Sequence, residues 1–149
     1  IVMEFDKEFL EKLLEQAIEN PRLRQNFDLR TSSADTSQRM LNALQPQTEV
    51  AIHRHEKTAE TVICLVGRLE EIIYEEVDEY VYEVTSCCDD VIRQKSFKEV
   101  SRQILSPTEG KFGIQIPAGA WHTINVIEPS VIFEAKDGAY NESGNTTGK

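Results

Sequence analysis

The stretch HRHEKTAE, residues 53–60, places two histidines one residue apart and a glutamate five positions after the second. It continues the run TEVAIHRH, which has the composition of a β-strand, and in a strand side chains two apart lie on the same face. We therefore predict that His53 and His55 project together, with Arg54 on the opposite face. Glu60 follows the turn EKTA and begins the apolar run ETVICLV, so it can fold back beside the two imidazoles.

The third and last histidine of the chain, His122, lies in the segment IPAGAWH. Pro117 and Gly119 predict a tight turn there, with His122 opening the next strand. Three imidazoles and the Glu60 carboxylate suit a borderline divalent ion such as Fe, Mn, Ni, Co or Zn. An isolated HxH pair is more often a polar strand edge, and it is the combined spacing that favours a metal site.

The composition is acidic, with 16 Lys and Arg against 26 Asp and Glu, which gives a formal net charge of −10. A nucleic-acid-binding protein needs a basic face, so this balance argues against that class and equally against an anionic membrane surface. No apolar run approaches the roughly 20 residues of a membrane helix, and the N-terminus lacks the pattern of an export signal. We therefore expect a single cytoplasmic domain.

The three cysteines do not suggest a disulfide framework. Cys64 falls on the apolar face of its predicted strand, so we assign it to the core. Cys87 and Cys88 are adjacent in VTSCCDDV, which has the character of a loop. A redox or soft-metal site is the less favoured interpretation of this pair, because no CxxC spacing accompanies it.

The first 46 residues are predicted to form a helix followed by a loop. FDKEFLEKLLEQAIEN has apolar residues at helical spacing, with Asp6 able to cap its start and Pro21 ending it, so residues 1–20 form the N-terminal helix region. Residues 21–46 are polar and rich in turn formers, and we predict a connecting loop region.

The remainder of the chain has the pattern of a β domain. Residues 47–140 contain short runs rich in Val and Ile, separated by turn signals, which predict a β-sandwich or barrel. The part from about Thr85 to Leu105 is ambiguous between a helical turn with a strand and a mobile excursion. Residues 141–149 are polar, and we predict a flexible tail.

The complete pattern, HxH, four residues, Glu, six residues, Gly67, then PxGxxH downstream, resembles the two motifs of the cupin superfamily. The resemblance implies a mainly β fold, a cupin-type jelly-roll β-barrel preceded by the N-terminal α-helix, in one domain over residues 1–149. It also implies a metal held by three histidines and a glutamate, which in this sequence are His53, His55, Glu60 and His122.

Within the superfamily, the chain is similar to the WbuC-type cupin metalloproteins, which are associated with bacterial surface-polysaccharide gene clusters. The likeness is carried by PRLRQNF, SQRMLNALQP, HRHEKTAET, PAGAWHTI and FEAKDGAY, over residues from about 5 to 140. The segment from about Asp78 to Val100 looks longer than is usual in that family.

The resemblance implies a divalent-metal-binding cupin, frequently a homodimer, that binds or acts on a sugar or nucleotide-sugar derivative in surface-polysaccharide metabolism. Arginine and lysine can pair with phosphate or carboxylate, and aromatic residues can supply a wall and a proton donor. The candidate ligand-binding residues are Arg22, Arg24, Arg39, Trp121, Lys136 and Tyr140.

Other functions stay open at this point. All three histidines are used as metal ligands, so no general base is evident, and a non-catalytic small-molecule-binding or regulatory cupin is an alternative to an isomerase- or epimerase-like enzyme. The same ligands hold iron equally well, so an iron-dependent dioxygenase is a further alternative. No catalytic residue is assigned.

Overall fold

The computed structural model describes residues 1–141 and 145–148 and contains one α-helix and eight β-strands. The elements in chain order are α1 (Lys7–Glu19), β1 (Arg24–Asp28), β2 (Ser37–Leu44), β3 (His53–His55), β4 (Glu60–Val84), β5 (Asp89–Leu105), β6 (Gly113–Ile116), β7 (Trp121–Asp137) and β8 (Asn145–Thr147). A single turn of 3₁₀-helix, Pro107–Glu109, lies between β5 and β6. The mainly β prediction with an N-terminal helix is confirmed.

Helix α1 begins where the sequence predicts, because the Asp6 carboxylate accepts a hydrogen bond from the Phe9 N–H at 2.9 Å. Its apolar face is buried on the outer side of the sheet, where Leu13 and Ala17 are at most 4% exposed. The residues that they meet in this outer core are Leu41, Ala43 and Val131, with Phe27 packed at the edge.

Residues 21–46, predicted to be a connecting loop, instead contain the antiparallel strands β1 and β2. The two faces of β2 explain the error. Leu41 and Ala43 pack against the helix, while Asn42, between them in sequence, faces an internal cavity. The polar residues Arg24 and Asn26 of β1 line the same cavity, and a sequence pattern cannot separate polar side chains that face a cavity from those of a solvated loop.

The eight strands form one antiparallel sheet with the order β1-β2-β7-β3-β8, and β4 pairs with β5, β6 and β7. Within the described residues these pairings leave the sheet open. Side chains from five strands nevertheless meet in one inner core, so the sheet is curled around it as in a barrel. The core consists of Leu44, Val62, Cys64, Leu69, Leu105, Ile116, Val126 and Ile132. The assignment of Cys64 to the core is confirmed.

The ambiguous region after Thr85 is the second strand of a long β-hairpin. Strands β4 and β5 pair from Leu69↔Leu105 to Val84↔Asp89, with an irregularity after Ile73. Beyond it, from the pair Glu75↔Lys98 outward, most side chains are exposed, and we call residues 75–98 the hairpin arm. Cys87 and Cys88 are exposed at its tip, where their sulfur atoms are 3.5 Å apart.

The C-terminal segment, predicted to be a flexible tail, contains strand β8, which pairs with β3. The edge of the short strand β3 provides the backbone groups that order it, and the Gly148 N–H adds a hydrogen bond to Ile52 O at 2.6 Å. Residues 142–144 and 149, also part of that prediction, lie outside the described residues. No helix in the described part of the chain is long and apolar enough to cross a membrane.

Candidate metal centre

The four predicted metal ligands meet at one end of the sheet. His53 and His55 are the two ends of β3, Glu60 is the first residue of β4 and His122 is the second residue of β7. His53 and His122 are directly opposed across the β3–β7 ladder. One ligand atom from each of the four side chains lies within 4.8 Å of all the others, which is the arrangement of a group able to hold a metal ion.

Strand periodicity orients the two histidines of β3 as predicted, because Arg54 between them points away from the cluster. Its guanidinium group lies 4.5 Å from the centre of the Trp121 ring and 3.0 Å from Glu56 Oε1. Trp121 in turn contacts Phe97 at the base of the hairpin arm, with the ring centres 4.9 Å apart. These contacts on the outer face hold β3 against β7.

Two histidines are held by backbone carbonyl groups. His53 Nδ1 lies 2.8 Å from Ala51 O, and His122 Nδ1 lies 2.9 Å from Ala120 O. A carbonyl oxygen only accepts hydrogen bonds, so each Nδ1 carries the proton and each Nε2 is left with its lone pair. This arrangement is common around metal-binding histidines, because the second hydrogen bond fixes both ring orientation and tautomer.

Glu60 lies at the centre of the group. Its Oε2 atom is 2.9 Å from His55 Nε2 and 3.3 Å from His122 Nε2, and the carboxylate is 3% exposed. Burial raises the pKa of Glu60, but contacts with His122 and His55, helped by the charge of Lys136, outweigh it and hold the pKa well below its usual range. The glutamate is therefore ionised at neutral pH.

The donor set fits a divalent transition metal. Burial, followed by the nearby His122, lowers the pKa of His53 to about 4, so this imidazole is neutral at physiological pH. Within the described residues, His122 Nε2 and Glu60 Oε2 are buried without a hydrogen bond of good geometry, although they face each other. Neutral imidazole nitrogens and an ionised carboxylate oxygen are the species that such a cation binds.

The group opens into a cavity of about 350 Å³ bounded by β1, β2, β4 and β7. Four of the six predicted ligand-binding residues line this cavity, namely Arg22, Arg24, Lys136 and Tyr140. The Nε atom of Arg24 is buried and has no hydrogen-bond partner among the described residues. The cavity thus combines a possible metal site with cationic side chains.

The other two predicted ligand-binding residues lie outside this cavity. Trp121 precedes His122 in β7, so it projects to the opposite face and packs on Arg54 and Phe97. Arg39 is adjacent to the cavity-lining Met40 on β2, and its guanidinium donates hydrogen bonds to backbone carbonyl groups and to an aspartate instead. Both placements follow from the two-residue period of a strand.

Two cavity residues, Glu71 and Glu134, were missed in the sequence. Glu71 is 1% exposed, and within the described residues neither carboxylate oxygen has a hydrogen-bond partner. Glu134 is partly accessible because it lines the cavity, yet burial and the neighbouring Glu60 raise its pKa to about 8. The available signal was an acidic residue inside an apolar run, RLEEII for Glu71 and VIFEAK for Glu134.

The position of Glu71 depends on an irregular stretch in β4. Glu60, Val62 and Cys64 are buried at even positions, but the β4–β7 register shifts three times between Cys64 and Leu69, and beyond it Leu69 and Glu71 are buried at odd positions. Gly67 lies in this stretch with φ +98°, and a Cβ atom there would lie 2.3 Å from the Pro129 carbonyl oxygen. Only glycine fits at this bulge.

The fold and the four-residue group place the chain in the class of cupin-fold proteins. Similar solved structures include the capsular polysaccharide assembling protein CapF from Staphylococcus aureus, with a TM-score of 0.53 and 14% identity over 82% of this chain and 29% of CapF. Oxalate decarboxylase from Lactobacillus farciminis, in a formate complex, has a TM-score of 0.51 and 14% identity over 83% of this chain and 31% of the enzyme. A cupin-2 domain from Rhodospirillum rubrum has a TM-score of 0.52 and 12% identity, covering 85% of this chain and 66% of that one.

These likenesses establish the cupin fold, and the chain spans less than a third of the length of CapF or of the decarboxylase. Residues 5–85 match the model of a family described as a domain of unknown function, DUF6016, and the chain belongs to that family. No curated protein matches the chain in sequence.

Proposed function

We propose that this protein binds one divalent transition metal through His53, His55, Glu60 and His122 and uses the site to hold a small, polar, carbohydrate-type ligand. The observation that carries the proposal is the convergence of these four side chains within 4.8 Å at the wall of a cavity. A metal bound there supplies Lewis-acid chemistry by polarising a coordinated oxygen atom. The donor set suits Fe, Mn, Ni, Co and Zn alike.

The other walls indicate the charge of the ligand. Arg22, Arg24 and Lys136 bring three cationic side chains to a cavity of about 350 Å³. Burial and the adjacent Arg22 lower the pKa of Arg24, an unfavourable environment that an anionic ligand group would relieve. We infer that carboxylate or phosphate groups bind here.

The volume limits the size of the ligand. A cavity of about 350 Å³ lies near the lower end of the range for small-molecule pockets, roughly 300–1,000 Å³. A sugar acid or sugar phosphate is therefore favoured over an enclosed nucleotide sugar. We further propose a role in surface-polysaccharide metabolism, which the WbuC-type sequence motifs support and which agrees with the description of CapF as a capsular polysaccharide assembling protein.

Whether the ligand is transformed or only bound is a separate part of the proposal. Glu71 and Glu134 provide carboxyl groups beside the metal ligands, so the cavity has proton-transferring groups even though every histidine is used. This favours a redox-neutral enzyme, such as an isomerase or epimerase, over a purely regulatory cupin. Oxygen uptake by the iron-loaded protein, without turnover of sugar derivatives, would instead support the dioxygenase alternative.

The metal site is tested by elemental analysis of the purified protein. We expect about one transition metal ion per chain in the wild type and a severe loss in His53→Ala. Glu56→Gln is the matched control, because Glu56 pairs with Arg54 on the outer face, directly after the HRH strand. Stoichiometric metal in His53→Ala would contradict the assignment.

The ligand class is tested by thermal shift of the metal-loaded protein with sugar acids, sugar phosphates and nucleotide sugars. We expect stabilisation by anionic sugars, and a loss of that response in Arg24→Ala. Arg68→Ala serves as the control, because Arg68 pairs with Glu109 away from the cavity. An equal response from neutral and anionic sugars would contradict the assigned charge.

A further inference from the structure

Glu71 is a buried carboxyl group that is neither a candidate metal ligand nor hydrogen-bonded to the described part of the fold. It belongs to β4, is 1% exposed and lines the cavity together with the four metal-binding candidates. Neither of its oxygens has a hydrogen-bond partner among the described residues. It is also not part of the group whose ligand atoms lie within 4.8 Å of one another.

A buried carboxyl group without a partner from the protein is energetically unfavourable. Buried polar groups are nearly always hydrogen-bonded, because leaving one without a partner forfeits the water that it bound in the unfolded chain. Its neighbours Leu69 and Ile72 show that this part of β4 accommodates apolar side chains. Because Glu71 lines the cavity, a group that enters the cavity can supply this partner.

The position of Glu71, buried at the cavity wall without a hydrogen-bond partner among the described residues, indicates that a hydrogen-bonding group of the ligand pairs with it. Burial, and then the nearby carboxyl groups of Glu60 and Glu134, raise the pKa of Glu71 well above its ordinary range. The neutral carboxyl group both donates and accepts a hydrogen bond. A hydroxyl group, which does the same, is the matching partner.

The cationic residues of the cavity indicate that the ligand also carries an anionic group. Arg24 has a buried Nε atom without a partner, and Lys136 lies near enough to influence the pKa values of both Glu60 and Glu134. A ligand that satisfies Glu71 and Arg24 together carries a hydroxyl group and an anionic group on a small skeleton.

We propose that the cavity selects small hydroxylated anions, and that Glu71 is the residue that recognises the hydroxyl group while Arg24 binds the anionic end. This inference rests on the proposed function, because it assigns the substrate class of the same site. It adds a specificity-determining residue that the metal ligands do not supply.

The test compares three four-carbon dicarboxylates of equal charge, namely succinate with no hydroxyl group, malate with one and tartrate with two. Binding to the metal-loaded protein is measured by isothermal titration calorimetry, using both enantiomers of malate and of tartrate. We expect wild type to bind the better tartrate enantiomer at least about tenfold more tightly than succinate, which is the effect of about one good hydrogen bond.

Variants of Glu71 separate its contribution from chelation by the metal. In Glu71→Leu we expect the preference for tartrate over succinate to fall to about threefold or less, while Glu71→Gln, which still donates and accepts, retains most of it. Glu75→Leu, an exposed position on the same strand, is the control and should keep the wild-type ratio.

Metal content is measured on every sample, so that the two proposals fail separately. Metal-loaded wild type that does not discriminate between the three acids, or Glu71→Leu that discriminates as wild type does, would overturn this inference and leave the metal site intact. Wild type that takes up no metal would overturn the proposed function and this inference with it.

Discussion

The cavity and the hairpin arm are both rich in acidic and basic residues, but these residues are exposed to solvent in the arm and largely buried in the cavity. In the arm, charged residues form cross-strand pairs at the surface, such as Lys95 with Glu76 at 2.9 Å and Arg93 with Asp78. In the cavity, Glu71 is buried, Glu134 is partly buried, and both have raised pKa values. Residues of one chemical type are thus paired at the surface in one region and held beside the candidate metal site in the other.

The difference has an energetic basis. Exposed ion pairs each contribute about 0–1 kcal/mol, because water and salt screen them. A buried carboxyl group without a partner costs roughly 1–3 kcal/mol. The arm can therefore lose a charge with little effect, whereas replacing a charge in the cavity should change stability, metal content or ligand binding.

The largest effect is expected from His122→Ala. His122 is 2% exposed and its ring centre is 4.2 Å from that of His53, so alanine at this position removes one of the four candidate ligands from the centre of the group. We expect metal affinity to fall by more than about 100-fold, measured by competition with a chromophoric chelator. Glu128→Gln, exposed on the same strand, is the control. Unchanged metal affinity in His122→Ala would contradict the assignment of His122 as a metal ligand.

Glu71→Leu should stabilise the metal-free protein while weakening ligand binding. Leucine has a similar volume and removes the desolvation cost of the carboxyl group, so we expect the free energy of unfolding to rise by about 1–3 kcal/mol. Urea denaturation in the presence of EDTA measures it. Glu75→Leu in the arm should change it by less than about 0.5 kcal/mol. Destabilisation by Glu71→Leu would show that the carboxyl group has a structural partner.

The pH dependence of stability should report Glu134. Its pKa is raised to about 8 from an ordinary value of 4.5, so between these values the folded chain binds a proton that the unfolded chain releases. The free energy of unfolding of the metal-free protein should therefore decrease as pH rises from 6.5 to 8.5. Glu71, whose pKa is also raised, contributes in the same direction.

This range avoids the opposite contribution of His53. The pKa of His53 is lowered to about 4 from 6.5. Its contribution to the free energy of unfolding therefore increases with pH and is complete above about pH 6.5. Glu134→Gln should reduce the decrease between pH 6.5 and 8.5 by about 1–2 kcal/mol, at 1.36 kcal/mol per unit of pKa shift. If the free energy of unfolding of Glu134→Gln depended on pH as that of the wild type does, the pKa of Glu134 would not be raised in the folded protein.

The smallest effect is expected from Lys95→Ala in the hairpin arm. This removes the exposed pair with Glu76, and we expect the free energy of unfolding to fall by less than about 1 kcal/mol, and by less still in 1 M NaCl. Metal content and ligand affinity should not change. A large loss of stability would mean that the arm is coupled to the cavity through Phe97 and Trp121 at its base.

The features predicted correctly from the sequence are those in which residues a few positions apart determine the local structure. The Asp6 cap and the apolar stripe of α1 are local, and so is the two-residue period that projects His53 and His55 together. The strands that were not predicted are ordered by pairing with residues far away in the sequence. Strand β2 is ordered by pairing with β7, almost a hundred residues later, and β8 by pairing with β3.

The helix, the β-rich class and the grouping of three histidines with Glu60 can therefore be predicted from the residues alone, because each follows from contacts between near neighbours or from motif spacing. Which other residues share the cavity depends on how the strands pair in three dimensions. The bulge at Gly67 changes which residues of β4 face inward and so brings in Glu71, and alternation in β7 turns Trp121 away from the cavity as it turns His122 in. Such placements depend on the register of strands far apart in sequence, which residue patterns do not encode locally.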